Sequence, residues 1–170
     1  MQTTTTRDIQ FVRLPEVDTA SLSRLANDPR VLRHMPLANG AMSEADIREW
    51  IVSKERIWEE HGFGPWGIRI RGAFAGWGGL QPWDDEVEVA LVLRPEFWGW
   101  GRPIFARFVK QAFEQLGLTH VLAAVPPTRG RGRSLLRLGF TAVGTANIEG
   151  CEFLVYRLDN SSSPVGHLES

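Results

Sequence analysis

Cysteine is nearly missing from this 170-residue chain: Cys151 stands alone, which excludes an intramolecular disulfide framework and any multi-cysteine metal site. Cys151 itself reads as a small apolar residue in a strand. Lysine is almost as scarce, with Lys54 and Lys110 the two among nineteen cationic side chains; arginine, the better fork for phosphate, supplies the rest. Tyrosine occurs once, as Tyr156. No apolar run approaches the roughly 18 residues of a membrane span, and the opening MQTTTTRDIQ lacks the basic-then-apolar layout of a secretory leader, so a cytoplasmic location is expected. A formal net charge of −1 argues against dedicated nucleic-acid binding. What is present is ordinary in proportion: 43% hydrophobic and 23% charged residues place the chain among globular proteins. A chain near this size buries roughly 68–70% of its unfolded surface, so one domain is expected over residues 1–158. QTTTT near the start and the polar stretch 159–170 have little to pack, and the latter reads as a flexible tail.

Periodicity predicts the elements. IQFVRL reads as a first strand, and Asp18 caps a helix running to about Asn27, ended by Asp28-Pro29. Ser43 and Asp46 form a capping box, after which Ile47, Trp50, Ile51, Lys54, Ile57 and Trp58 recur at helical spacing up to Gly62. WGIRI and AFAGWGGL form a hairpin around Arg71-Gly72. In EVEVALVL, Glu86 and Glu88 alternate with valines before a continuous apolar run, which predicts a strand half exposed at one end and buried on both faces at the other. A strong amphipathic helix follows from Pro103 to Gly117, carrying Ile104, Phe105, Phe108, Val109, Ala112, Phe113 and Leu116 on one face. HVLAAV is a buried strand, residues 132–138 are a short helix, and FTAVG and CEFLVYRL are the last strands. The sum is a mixed sheet with helices packed on it.

FWGWGRP, residues 97–103, joins the third of these inner strands to the strong helix. A buried strand, a glycine loop and a helix N-terminus make an anion site, because the first-turn amides lack intrahelical acceptors and carry the positive end of the helix dipole. Gly99 and Gly101 let the main chain turn and approach a ligand closely. The spacing matches neither the Rossmann nor the Walker pattern.

The run EVALVLRPEFWGWG, a long helix ending FEQLGL, then THVLAAV and LLRLGF resemble the GNAT acyl-CoA N-acyltransferases over residues 9–158. Together with LANDPRVLRHMP they are most similar to the branch that includes the ribosomal-protein N-terminal acetyltransferases. The resemblance implies an α/β fold with a splayed, mostly antiparallel mixed sheet flanked by helices. It implies acetyl-CoA as co-substrate, wedged between the strand ending at Leu93 and the strand ending at Val125. Backbone near Leu91 and Leu93 would pair with the pantetheine, and Trp98 would flank the loop. Amides of Gly99, Trp100, Gly101 and Arg102, with Ile104, would hold the pyrophosphate; no metal is expected. Glu88 matches the family's glutamate on this strand and is the expected base for the acceptor ammonium, directly or through water. Asp84 and Asp85 are alternatives that read first as a hairpin turn, and His34 is a further one; His120 reads as structural.

Departures from the family's pattern bear on mechanism. Pro103 stands where glycine or alanine is usual and has no N–H to give. Thr128 stands where the branch often has an asparagine that helps bind the cofactor, and Arg131 where it often has a serine that the resemblance makes a partner of the departing thiolate. Leu135 fills the slot of a tyrosine that protonates the departing thiolate, so no general acid is visible. Tyr156 reads as a packed aromatic with its hydroxyl near the sheet edge. Arg129, Arg131 and Arg133 are candidates for phosphate contacts. Trp50 and Trp58 read as core, Trp98 as packed on the sheet, and Trp66, Trp77 and Trp83 as an aromatic wall favouring a bulky or apolar amine.

These readings converge on an N-acetyltransferase acting on a peptide N-terminus or a small-molecule amine. A catalytically impaired relative that binds CoA or acyl-CoA is the alternative from another class, and an RNA-contacting RGRGR patch is a third that the net charge disfavours. No membrane or nucleic-acid partner is expected; the resemblance admits a homodimer.

Overall fold

The computed structural model describes residues 6–38, 40–128 and 132–161. Seven strands form one sheet in the spatial order β1-β2-β3-β4-β5-β7-β6. They are β1 (Ile9–Val12), β2 (Pro65–Ile70), β3 (Ala73–Trp83), β4 (Glu86–Leu93), β5 (His120–Val125), β6 (Thr141–Ile148) and β7 (Cys151–Asp159). Every neighbouring pair is antiparallel except β4 with β5. The helices α1 (Thr19–Ala26), α2 (Pro29–Leu32), α3 (Glu44–His61), α4 (Gly101–Lys110) and α5 (Gly132–Arg137) complete the architecture. The mixed, mostly antiparallel sheet with flanking helices is the fold class expected from the sequence.

Two cores form because the sheet has two covered faces. On one, Ile104, Phe108 and Ala112 are wholly buried against Val89, Leu91 and Leu93 of β4 and Val121, Ala123 and Val125 of β5. On the other, Leu22 of α1 and Ile47 and Ile51 of α3 pack with Val12, Leu14 and Val17, with Trp50 and Trp77 at the margin. The start of α3 follows from its capping box: the Asp46 N–H donates to Ser43 Oγ at 3.1 Å and the Ser43 N–H to the Asp46 carboxylate at 2.9 Å. Gly62, at φ 75°, closes it in the left-handed conformation.

Several boundaries differ from the sequence reading, each for a local reason. The first strand stops at Val12 because the Glu16 N–H turns back to the Arg13 carbonyl. Asp28-Pro29 ends α1 but also starts α2, with the Asp28 carboxylate accepting from the Arg30 N–H. Residues 97–100 are no open loop: a 3₁₀ turn, Pro95–Trp100, runs straight into α4, which itself relaxes into a π turn at Gln111–Gln115. The polar stretch from Asp159 begins as sheet, since β7 includes Asp159 and the Asn160 N–H donates to the Thr119 carbonyl. Residues 1–5 of the start and 162–170 of the expected tail lie outside the described residues.

The apolar end of β4 is not buried on both faces. Val89, Leu91 and Leu93 are buried while Ala90 and Val92 stay half exposed, so alternation continues to the end of the strand. Its other edge is pressed against β3, where a Cβ at Gly76 (φ 155°) would lie 2.1 Å from the Val92 carbonyl oxygen. Among the described residues, no helix is long and apolar enough to cross a membrane.

Candidate active site

The parallel ladder between β4 and β5 pairs a single residue couple, Glu88 with Leu122. On the N-terminal side of that couple the two strands are stitched by a hydrogen bond between His120 Nε2 and Glu86 Oε2, which gives His120 the structural place expected of it. On the C-terminal side they part. The gap opens into a cavity of about 850 Å³ walled by residues 88–92 of β4 and 123–126 at the end of β5.

The cavity reaches both faces of the sheet. Toward α4 and α5 it is bounded by Gly99, Gly101, Arg102, Phe105, Ser134 and Leu135. Toward α3 it is bounded by Met35, Met42, Trp50, Ile148 and Phe153, with Asp46 and His34 also on the wall. This second wall comes from the segment between α2 and α3, which carries no periodic signal, and from the β6–β7 hairpin. The segment is tethered across the cleft: Thr128 Oγ1 donates to the Arg33 carbonyl at 3.3 Å, His34 Nδ1 lies 3.4 Å from the same hydroxyl, and Cys151 Sγ reaches the Pro36 carbonyl at 3.7 Å.

Glu88 sits where the strands begin to part, on the face shared with its cross-strand partner Gln81. Burial pushes its carboxyl above the usual 4.5, and the nearby Lys54 charge opposes part of that rise. Asp84 and Asp85 are exposed in the β3–β4 turn, outside the cavity wall.

The other expected site residues divide. Leu91, Trp98, Gly99, Gly101 and Arg102 line the cavity; Leu93, Trp100, Ile104 and Thr128 do not. Leu93 is buried, and its carbonyl accepts the Trp98 indole N–H at 2.9 Å. Trp100 packs under the Arg71 guanidinium, 5.3 Å from its ring centre, and the Ile104 side chain is core. A Cβ at Gly99 would meet nothing within 4 Å and its φ is not left-handed, so the glycine there leaves room rather than permitting a turn. Gly101 is likewise helical at φ −57°, with its N–H already given to the Trp98 carbonyl. Arg129 and Arg131, and with them most of the RGRGR patch, lie outside the described residues, while Arg133 is exposed.

Tyr156 is buried on β7, an interior strand, and not at a sheet edge; its hydroxyl would stand 2.5 Å from a Cβ at Gly132. Leu135 occupies the cavity wall. The indoles exchange their expected parts. Trp50 lines the cavity, whereas Trp66 packs between Phe11 and Trp58, and Trp77 packs edge to face on Trp50 at 5.0 Å.

Comparison with known proteins matches this geometry. A model of the Acetyltransferase (GNAT) domain family matches residues 9–141. Similar solved structures include an acetyltransferase from Agrobacterium tumefaciens str. C58, with TM-score 0.76 and 22% identity over 94% of this chain and 95% of that one. A spermidine N-acetyltransferase from Vibrio cholerae, in complex with CoA and spermine, gives TM-score 0.74 and 14% identity over 92% and 98%. An aminoglycoside acetyltransferase in complex with coenzyme A gives 0.72 and 16% over 89% and 95%. At such identities the structural likeness is one of fold; the sequence match over most of the chain carries the assignment, and this chain belongs to the GNAT acetyltransferase family.

Proposed function

We propose that the protein is an acetyl-CoA-dependent N-acetyltransferase, similar to the ribosomal-protein N-terminal acetyltransferase branch, whose acceptor is a primary amine on an apolar body. The observation that carries this reading is Glu88: a half-buried carboxylate at the last paired couple of β4 and β5, opening onto the cavity, with its pKa raised toward the working range of a base. Acyl-CoA fits the gap, since β4 backbone at Leu91, the open space over Gly99 and the Arg102 side chain all border it. Bound there, it supplies a thioester already activated toward an amine. The protein's own part is to orient the acceptor, to take a proton from its ammonium on a Glu88 carboxylate oxygen, and to keep bulk water from the reacting atoms. Met35, Met42, Trp50 and Phe153 make the acceptor side apolar and favour an amino-terminal residue or small amine with a bulky hydrophobic body. A cytoplasmic setting belongs to the same reading, since a single free thiol suits a reducing compartment.

CoA release with acetyl-CoA and an amine panel tests the reading. Glu88→Gln should lower kcat about 10²–10⁴-fold, the usual loss for a missing proton transfer; unchanged turnover would remove Glu88 as the base. A second reading, an acyl-CoA-binding module without turnover, is favoured by one observation: Leu135 stands on the cavity wall and Tyr156 does not, so among the described residues no tyrosine borders it. Saturable acetyl-CoA binding without CoA release for any amine would select that reading.

A further inference from the structure

Of the two lysines, Lys110 lies on the surface of α4, while Lys54 turns inward from α3. Its Nζ is fixed on several sides. It donates to Gln81 Oε1 at 2.5 Å, and it lies 5.3 Å from the ring centre of Trp77 and 5.8 Å from that of Trp50. Gln81 is a buried polar residue, and it is the direct cross-strand partner of Glu88. The ammonium is therefore anchored on the residue that pairs with Glu88 across β3 and β4, and it is hydrogen-bonded to a neutral amide. Two indole faces add cation–π attraction that compensates part of the lost hydration.

We propose that Lys54 is a positioning residue for the transfer reaction: a cation held by Gln81, Trp50 and Trp77 whose field keeps the Glu88 carboxylate ionised in its half-buried place. The proposal rests on Glu88 acting as the base. A carboxylate desolvated without a nearby cation takes up a proton at neutral pH and can accept none from the substrate. A direct ion pair would err the other way, making the carboxylate too weak a base. A cation set one side chain away does neither. The two groups respond accordingly: burial pushes the Lys54 ammonium down and the Glu88 carboxyl up, and each charge opposes the other's shift.

The remaining charges around Glu88 have other partners or stand elsewhere on the cavity. Glu86, two residues back on β4, is bonded to His120. Arg157, across Leu122 in the same row of the sheet, is paired with Asp159 at 2.9 Å. Asp46 is bonded to Ser43, His34 stands beside Thr128, and Arg102 borders the cavity from α4. Lys54 differs from the paired groups in that its ammonium is hydrogen-bonded to a neutral amide and faces two indole rings.

The test is the pH profile of kcat/KM, read as CoA release, for the wild type, Lys54→Met and Lys54→Arg. The wild-type acid limb should report one group titrating above the ordinary carboxylate range. In Lys54→Met that limb should move up by about one unit or more, so that activity on the acid side of both midpoints falls about tenfold and is recovered on the alkaline side. Lys54→Arg should keep the midpoint near its wild-type position. Loss of activity by the same factor at every pH, with an unmoved midpoint, would overturn the proposal.

A readout without turnover separates this outcome from failure of the base reading. Because the folded-state pKa of Glu88 is raised, its neutral form is favoured in the fold, and the stability it contributes is full below the unfolded value and lost as pH rises through the folded one. The Tm difference between wild type and Glu88→Gln, followed with pH, therefore tracks the Glu88 titration even in a protein whose activity survives Glu88→Gln. Its midpoint should rise in the Lys54→Met background, and an unmoved midpoint overturns the proposal whatever the activity shows. Should Lys54→Met not fold, Gln81→Leu releases the ammonium from its anchor, and the midpoint should move in the same direction by less; no movement there counts equally against it.

Discussion

Two seams flank β5, and they are built differently. On one side β5 meets β7 in an antiparallel ladder of six consecutive couples, from His120 with Asp159 to Val125 with Leu154. On the other it meets β4 in parallel, at Glu88 and Leu122 alone. The first seam spends its backbone hydrogen bonds on holding the fold. The second leaves the ends of two strands diverging around a space that another molecule's amides could bridge, and it puts the candidate base at the point of divergence. One strand thus has two unlike edges: its β7 edge is a closed ladder, and its β4 edge borders the candidate site.

The largest effect that sharpens this contrast is expected at Gly76. Ala there must adopt φ near 155° with its Cβ against the Val92 carbonyl, so Gly76→Ala should cost about 3 kcal/mol or more in denaturant unfolding, with the β3–β4 side of the open seam displaced. A cost below about 1 kcal/mol would show that β4 is not held by this close approach. Next comes the closed seam. Val121 is wholly buried beneath α4, and Val121→Ala should lose about 2 kcal/mol while leaving the KM for acetyl-CoA unchanged. A changed KM with unchanged stability would break the separation. The smallest energy belongs to the open seam: Ala90→Phe, on the cavity wall, should weaken acetyl-CoA binding tenfold or more, about 1.4 kcal/mol, at little cost in stability. The thermal shift on titration with acetyl-CoA reads it directly. Undiminished binding would place the donor elsewhere than between β4 and β5.

Much of this was readable in the chain. The α3 capping box, the Arg71-Gly72 hairpin turn and the apolar face of α4 depend on residues a few positions apart, and the structure has them where spacing puts them. Glu88 stood out through the family resemblance, whereas Lys54 was read only as one residue of the inward stripe of α3, with no part in the site. The indoles were misread for a physical reason. Alternation divides a strand into two faces without saying which strand borders the cleft, and β2, with Trp66, lies two strands from β4. Trp50, read as core from its helical spacing, stands where α3 passes the opening. The wall formed by Met35 and Met42 had no periodic signal, because an irregular segment is placed by what it lies against.

The glycines of the opening motif illustrate the same division. Their presence suggested a turn, yet Gly99 and Gly101 need no left-handed backbone; what Gly99 supplies is empty space beside a cavity that exists only after β4 and β5 diverge. Sequence by itself determined the strands, the long helices, the α3 cap and the family, since those rest on local hydrogen bonds, side-chain periodicity and motif order. The tertiary structure decided the site: a single parallel couple between strands far apart in the chain, a wall brought from three separate segments, and an ammonium of α3 set beside a carboxylate of β4. Burial and charge of that kind arise only when distant residues meet, and no local pattern encodes the distance between them.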